Sequence, residues 1–368
     1  MRFLKGMDIS TLKEVEESGG KFYDHGVEKD VMDILKSYDV NAVRLRLWND
    51  PYTEDGKPYG AGTNDLPTTI LLTKRALEKG MDVLLDFHYS DFWADPGKQR
   101  IPKAWKGMNL EQLEQAVYAY TKETLETMKK ADAFPTLVQV GNEVTNGILW
   151  PFGKVPDYDG LTRLINAGIR GVRAVDSEIP IMIHLDNGGN NALYRDWFDH
   201  FLEKGEDFQI IGLSYYPFWH GTLDDLSNNM NDLALRYGKE LMLAEVSMGF
   251  TMEDYASYEK LEPHERKGMA TKPELVEKIQ YPMTKEGQKA FLEDIFSRLK
   301  NVPDGKAGGF FYWEAAWIPV PGCGWASDDA IVYMEEKGPG GNEWANQALF
   351  DYDGNALPAL EAVRDFNF

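Results

Sequence analysis

Eight short apolar runs, each followed by a stretch of helical periodicity, constrain this chain more than any other feature. The runs cover residues 3–9, 42–48, 81–89, 137–140, 179–185, 209–214, 241–245 and 309–313. They are dense in Val, Ile, Leu and Phe, as strands buried on both faces are. Between them, residues 66–79, 109–130, 161–175, 192–204, 223–237 and 285–300 place apolar side chains at helical spacing. Val27, Val31, Ile34, Leu35 and Tyr38 predict a further helix over 27–38. Ser10 is placed to cap a short helix after the first strand, and residues 358–366 predict a last one. Alternation on this scale implies a parallel sheet, and eight units imply a closed barrel. The expected architecture is therefore α/β: a single (β/α)8 TIM barrel over residues 1–368, with long loops after strands 7 and 8. An open doubly wound sheet is the rival. It lacks support, because no G-x-G-x-x-G follows the first strand and no G-x-x-x-x-G-K-[ST] occurs.

Charge and cysteine content narrow the function. The formal net charge of −21 argues against nucleic acid and anionic membranes as partners, since both are polyanions. It suits a neutral or cationic ligand. The single cysteine, Cys323, excludes an internal disulfide and any cysteine-rich zinc site. No stretch approaches the roughly 18–20 apolar residues of a membrane-spanning helix. No basic-plus-apolar leader precedes the first strand. The expected location is cytoplasmic if the chain is complete, and secreted if a leader has been removed.

The ends of the predicted strands carry the chemistry. Leu137-Val-Gln-Val-Gly-Asn-Glu143 is an apolar run broken by Gly141, which leaves Glu143 at the mouth with Asn142 beside it. Leu241-Met-Leu-Ala-Glu245 ends the same way. Arg44, Arg46, His88, His184, Tyr215, Tyr216 and Trp313 also lie at strand ends, and in a (β/α)8 barrel these converge on one face. Glycoside hydrolysis needs two carboxyl groups flanking the scissile bond, one protonated and one ionised. A neighbouring arginine lowers one pKa, while burial or the other carboxylate raises its partner's. Strand alternation puts Arg44, Arg46 and Trp48 on one face, and inward arginines need acidic partners such as Asp86. The 10 Trp, 18 Tyr and 18 Phe add flat faces suited to the C–H faces of sugars. Trp93, Trp219, Trp313, Trp317 and Trp325 sit near polar loop residues.

Each feature has a plainer reading. A lone glutamate at a strand end is more often a helix cap or an ion-pair residue. His88 or His184 alone is more often a hydrogen-bonded core residue. The aromatic groups also suit core packing. Asp351-Tyr-Asp-Gly-Asn355 resembles a calcium loop superficially, but Ala356 and Ala362 stand where that loop needs Gly and Glu, so a turn is expected. The acidic run Glu253 to Glu265 reads as a solvated loop.

Longer motifs carry a resemblance. Lys5-Gly-Met-Asp-Ile-Ser10, Val43-Arg-Leu-Arg-Leu-Trp-Asn-Asp-Pro51, Leu85-Asp-Phe-His-Tyr-Ser-Asp-Phe-Trp-Ala-Asp-Pro96, Val140-Gly-Asn-Glu-Val-Thr-Asn-Gly147, Ile211-Gly-Leu-Ser-Tyr-Tyr-Pro-Phe-Trp-His-Gly221 and Trp344-Ala-Asn-Gln-Ala-Leu-Phe-Asp351 span nearly the whole chain. In these the sequence resembles glycoside hydrolase family 53, the endo-β-1,4-galactanases. The resemblance implies a retaining glycosidase with Glu143 as general acid/base and Glu245 as nucleophile. The implied substrate is β-1,4-galactan of type I arabinogalactan, or derived galacto-oligosaccharides. Asp186, Asn187, Trp219, His220 and Trp313 match family positions around the sugar subsites. Retention requires the two carboxyl groups roughly 5–5.5 Å apart.

The resemblance has departures. Family members often read Glu-Thr-Ser-Tyr at the nucleophile, whereas this chain reads Glu245-Val-Ser-Met-Gly. No metal ligand set is assigned and no cofactor is required. Some relatives bind calcium in the loop after strand 7, and structural calcium is left open here. A monomer is expected. The alternatives are another barrel β-glycanase, such as a mannanase or glucanase, and a non-catalytic galactan-binding barrel.

Overall fold

Strand-forming runs and helical stretches alternate through the chain as expected, and the strands close on themselves. The barrel strands are β1 (Leu4–Asp8), β2 (Ala42–Leu47), β3 (Asp82–Phe87), β4 (Leu137–Val140), β5 (Ile181–Leu185), β6 (Ile210–Tyr215), β7 (Glu240–Val246) and β8 (Ala307–Tyr312). Each pairs in parallel with its sequence neighbours, and β1 pairs with both β2 and β8, which completes the ring. The outer layer is α1 (Val31–Ser37), α2 (Leu66–Glu78), α3 (Leu110–Lys130), α4 (Tyr158–Arg173), α5 (Asn191–Leu202), α6 (Leu223–Tyr237), α7 (Lys285–Lys300) and α8 (Ala359–Asp365). This computed structural model describes residues 2–255, 270–337 and 340–368. The acidic run Glu253 to Glu265 lies, beyond Tyr255, outside the described residues.

Side-chain parity divides the core in two. One face of each strand packs outward against the helices, as Val43, Leu45 and Leu47 do on β2 and Val83, Leu85 and Phe87 on β3. The opposite face fills the bottom of the barrel with Leu4, Ala42, Leu84, Leu137, Met182, Ile210, Met242, Ala244 and Phe311. Gly6 makes room for that plug: a Cβ there would lie 2.2 Å from the Phe311 ring. An apolar floor without solvent leaves only the upper half of the barrel for polar chemistry.

Local signals set most element ends. Asn109 and Gln112 form a capping box on α3, and Thr222 and Asp225 form one on α6. Gly80, at φ +71°, follows α2. Two expectations are corrected. Residues 27–29 are not helical: Val27–Lys29 pairs antiparallel with Phe22–Asp24, and α1 starts only after Asp30, whose carboxylate accepts from Met32 N. That cap outcompetes an extra helical turn upstream. Ser10 does not cap the helix Leu12–Glu17. Its hydroxyl donates to Asp8 Oδ1 and accepts from Arg46 N, locking the top of β1 to β2. The 351–355 segment is a turn, with Asp351 Oδ1 accepting from the backbone nitrogens of Asp353 and Asn355.

Candidate active site

Above the apolar floor, the inward-facing positions become polar. Arg44 and Arg46 project inward from β2, Asp86 from β3 with His88 just past its end, and Gln139 from β4. His184 follows on β5 with Asp186 just past it, and Ser214 on β6 with Tyr216 just past it. Glu143 reaches the centre through a backbone device. Gly141 turns the chain out of β4 at φ +82°, and Glu143 itself adopts the left-handed region at φ 45°, ψ 52°. Glu245 uses another. The register shifts against both β6 and β8 between Leu243 and Val246, an extra residue in β7. Such a bulge flips parity, so Ala244 and Glu245 both avoid the helix layer while Val246 packs into it.

A carboxylate oxygen of Glu143, one of Glu245 and a ring nitrogen of His184 lie within 4.8 Å of one another. Glu245 is held from two sides. Arg44 Nη1 is 2.9 Å from its Oε1, and the Tyr216 hydroxyl donates to its Oε2 at 2.6 Å. Arg44 is fully enclosed and also meets Asp8 at 2.9 Å, Asp86 at 2.7 Å and Asn142 Oδ1 at 2.8 Å. Asp86 in turn contacts His88 Nε2 at 3.0 Å. His88 Nδ1 accepts from Trp48 Nε1 and Ala94 N, so Nε2 carries the proton. Among the described residues, no cation pairs with Glu143. Its Oε1 accepts from the Ser214 hydroxyl at 2.6 Å.

These surroundings split the pair. Burial pushes Glu143 well above the usual carboxylate range, and the charges of Glu245 and Asp186 add to that. Burial also raises Glu245, to about 7, against the pull of Arg44 and the Tyr216 hydroxyl. Arg44 sits on Glu245 and favours the negative charge there, so a proton held by the pair goes to Glu143. Burial and the nearby Arg44 hold His184 neutral, far below its ordinary value. Burial and Glu245 keep Tyr216 a phenol and hence a donor. The trio of Glu143, His184 and Glu245 is close enough to hold a metal ion. Its partners argue against one, because Arg44 already neutralises Glu245 and both His184 nitrogens have hydrogen-bond partners.

The profile of Glycosyl hydrolase family 53 matches residues 4–363. The chain belongs to glycosyl hydrolase family 53. It is 39% identical to the endo-beta-1,4-galactanase of Bacillus subtilis (strain 168), over 98% of this chain and 85% of that one. A probable arabinogalactan endo-beta-1,4-galactanase A of Aspergillus terreus is 34% identical over 89% and 90% of the respective chains. Among solved structures, a family 53 catalytic domain of Ignisphaera aggregans superposes with a TM-score of 0.90. It is 41% identical, covering 98% of this chain and 95% of that one.

In this family 53 chain, most residues singled out from sequence line one cleft of about 520 Å³: Arg44, Arg46, His88, Trp93, Asn142, Glu143, Asp186, Asn187, Tyr216, Trp219, His220, Glu245 and Trp313. Two do not. Tyr215 points the other way, packing on Phe291 of α7 with its hydroxyl donating to Gly221 O. It follows Ser214 by one residue, so alternation sends it into the helix layer. His184 is fully buried beneath the cleft, bonded to Ser214, Gln139 and Asn142 rather than open to a ligand. Of the tryptophans, Trp325 lines the cleft, whereas Trp317 is buried with its indole nitrogen on Asn342. Sequence reasoning missed Trp344, Asp8, Gln139 and Ser214. Inward parity on β1, β4 and β6 was the available signal for the last three. Trp344 sits in a loop whose path no periodicity foretells.

Proposed function

We propose that this family 53 protein is a retaining endo-β-1,4-galactanase acting on galactan, type I arabinogalactan or the galacto-oligosaccharides derived from them. The supporting observation is the approach of Glu143 and Glu245 oxygens to within 4.8 Å. A nearest-oxygen approach this close suits the short carboxyl spacing of retaining glycosidases, roughly 5–5.5 Å, better than the roughly 6.5–9.5 Å of inverting ones. Galactan as substrate is supported by the names of the Bacillus and Aspergillus relatives.

The steps follow from the two environments. Glu245, ionised and aimed by Arg44 and Tyr216, attacks the anomeric carbon and forms a glycosyl ester. The glycosidic C–O bond breaks, and Glu143 gives its proton to the departing oxygen. Glu143, now ionised, takes a proton from water, which attacks the same carbon and releases Glu245. The alternation needs a donor that starts protonated and a nucleophile that starts charged, which is the ordering argued above. Trp93, Trp219, Trp313 and Trp344 offer stacking faces around the cleft. The chemistry requires no cofactor.

The test is product analysis on linear β-1,4-galactan, with the released anomer followed by proton NMR. Early β-anomer from internal cuts is expected. Early α-anomer would overturn the double displacement. Binding without new reducing ends would replace catalysis with a binding role, and cleavage of mannan or glucan instead would reassign the substrate.

A further inference from the structure

The polar cluster under Glu143 contains more donors than one reading of its protons can satisfy. Gln139 Oε1 accepts from Arg44 Nε at 3.2 Å, which turns its amide nitrogen toward Gly141 O at 3.0 Å, Asn142 Oδ1 at 3.1 Å and His184 Nδ1 at 3.0 Å. Asn142 Nδ2 donates to Ala94 O at 2.9 Å, so its Oδ1 faces Arg44 Nη2. One Gln139 N–H goes to Gly141 O; the other needs an acceptor. If His184 carried its proton on Nδ1, that proton would also go to Asn142 Oδ1. The second Gln139 N–H would then crowd in as a third donor, on an oxygen with two lone pairs, or go unmet.

The other tautomer satisfies every group. Nδ1 accepts from Gln139, Nε2–H donates to Ser214 Oγ at 2.8 Å, and the Ser214 hydroxyl has one acceptor left, Glu143 Oε1 at 2.6 Å. We propose that Ser214 is a positioning residue, a one-way donor fixed by His184 and Gln139 that keeps the acid proton of Glu143 on Oε2, facing the cleft. Oε1 cannot carry a proton toward a hydroxyl that already points at it. Oε2 takes no hydrogen bond from the described residues, which leaves it to the glycosidic oxygen. This rests on the reading of Glu143 as the proton donor.

Ser214 also stabilises the ionised state that follows, because a hydrogen bond to a carboxylate is stronger than one to a neutral acid. The other groups acting on Glu143 are Glu245, Asp186 and Asp95, with Tyr216 and Tyr194 also close. Around His184 stand Arg44, Asp86, His88 and His220. All of these remain in a Ser214→Ala variant, so its effect isolates the hydroxyl.

Neutron diffraction from a deuterated crystal of the full chain, at a pH where Glu143 is protonated, tests the assignment without substrate. Deuterium is expected on His184 Nε2, on Ser214 directed at Glu143 Oε1, and on Glu143 Oε2. Deuterium on His184 Nδ1, or a Ser214 hydroxyl aimed at His184, would overturn it. In kinetics on galactan, Ser214→Ala should move the alkaline limb of kcat/KM upward by about one to two pH units, the value of a charge-assisted bond. Ser214→Thr should restore it. An unmoved or lowered limb would equally overturn the proposal. If galactan is not cleaved at all, the substrate reading fails, and the neutron result still decides the proton chain.

Discussion

Glu143 and Glu245 sit across one cleft, one carboxyl oxygen of each within 4.8 Å of the other, in surroundings of opposite chemistry. On the β2–β7 side, Glu245 meets the guanidinium of Arg44 and the hydroxyl of Tyr216, and behind Arg44 stand Asp8 and Asp86. On the β4–β6 side, Glu143 meets one neutral hydroxyl, Ser214, backed by a neutral histidine. Burial is nearly the same for both carboxyls, so it cannot tell them apart. The cation does. One side of the barrel can hold a buried negative charge, and the other can release and recover a proton.

The largest effects should come from removing either carboxyl, and they should differ in kind. Glu245→Ala is expected to cut galactan turnover by about four orders of magnitude or more at every pH, since the proposed double displacement then lacks its nucleophile. Glu143→Ala should cost about two to four orders on galactan. It should lose far less on an aryl galactoside with an acidic leaving group, which needs no proton. Steady-state rates on the two substrates check this. Equal losses on the aryl substrate would erase the distinction between the two sides.

Arg44 is where the comparison would break. Arg44→Met leaves Asp8, Asp86 and Glu245 buried without their shared cation. Stripping one partner from a buried ion pair costs about 3–5 kcal/mol, which thermal or denaturant unfolding would read. Survivors should show the acid limb of kcat/KM moved to higher pH, because the group that lowers Glu245 has gone. Tyr216→Phe is the milder version. It removes one charge-assisted hydrogen bond, so kcat/KM should fall about ten- to a hundredfold. The acid limb should again rise, with little change in stability.

Much of this was legible beforehand, for a physical reason. Buried parallel strands must be apolar and helices amphipathic, so the eight units and the (β/α)8 barrel could be read from periodicity. Strand ends carry unusual polar residues, so Glu143, Glu245, Arg44 and Arg46 stood out. Illegible were features set by local backbone geometry. The bulge at Ala244–Glu245 reverses parity without a glycine or proline to announce it. Tyr215 and Tyr216 could not both face the cleft, and alternation alone does not say which residue begins the count. His184 was noticed as chemistry, but whether a histidine touches a ligand or a neighbouring strand depends on barrel depth. The sequence carries depth only through register.

The smallest effect tests whether an arginine does more for a carboxylate inside the barrel than at the surface. Asp232 on α6 has its own arginine, Arg195 of α5, in a two-point contact. The Arg195 hydrogen bond outweighs slight burial and holds Asp232 at about 2. A depressed carboxylate contributes stability that is present above its unfolded value, near 3.9, and lost as pH falls toward 2. The Arg195 side chain, however, is 47% exposed, so water and salt screen the pair. Asp232→Asn should therefore cost no more than about 0.5–1 kcal/mol near neutrality, less in high salt. The difference from the parent should vanish below about pH 2, as urea unfolding at a series of pH values would read. Arg44→Met should cost several times more at pH 7 and keep that cost in high salt. If the two variants cost the same, an arginine alone accounts for the charge on Glu245, and enclosure of the β2–β7 side of the barrel contributes nothing.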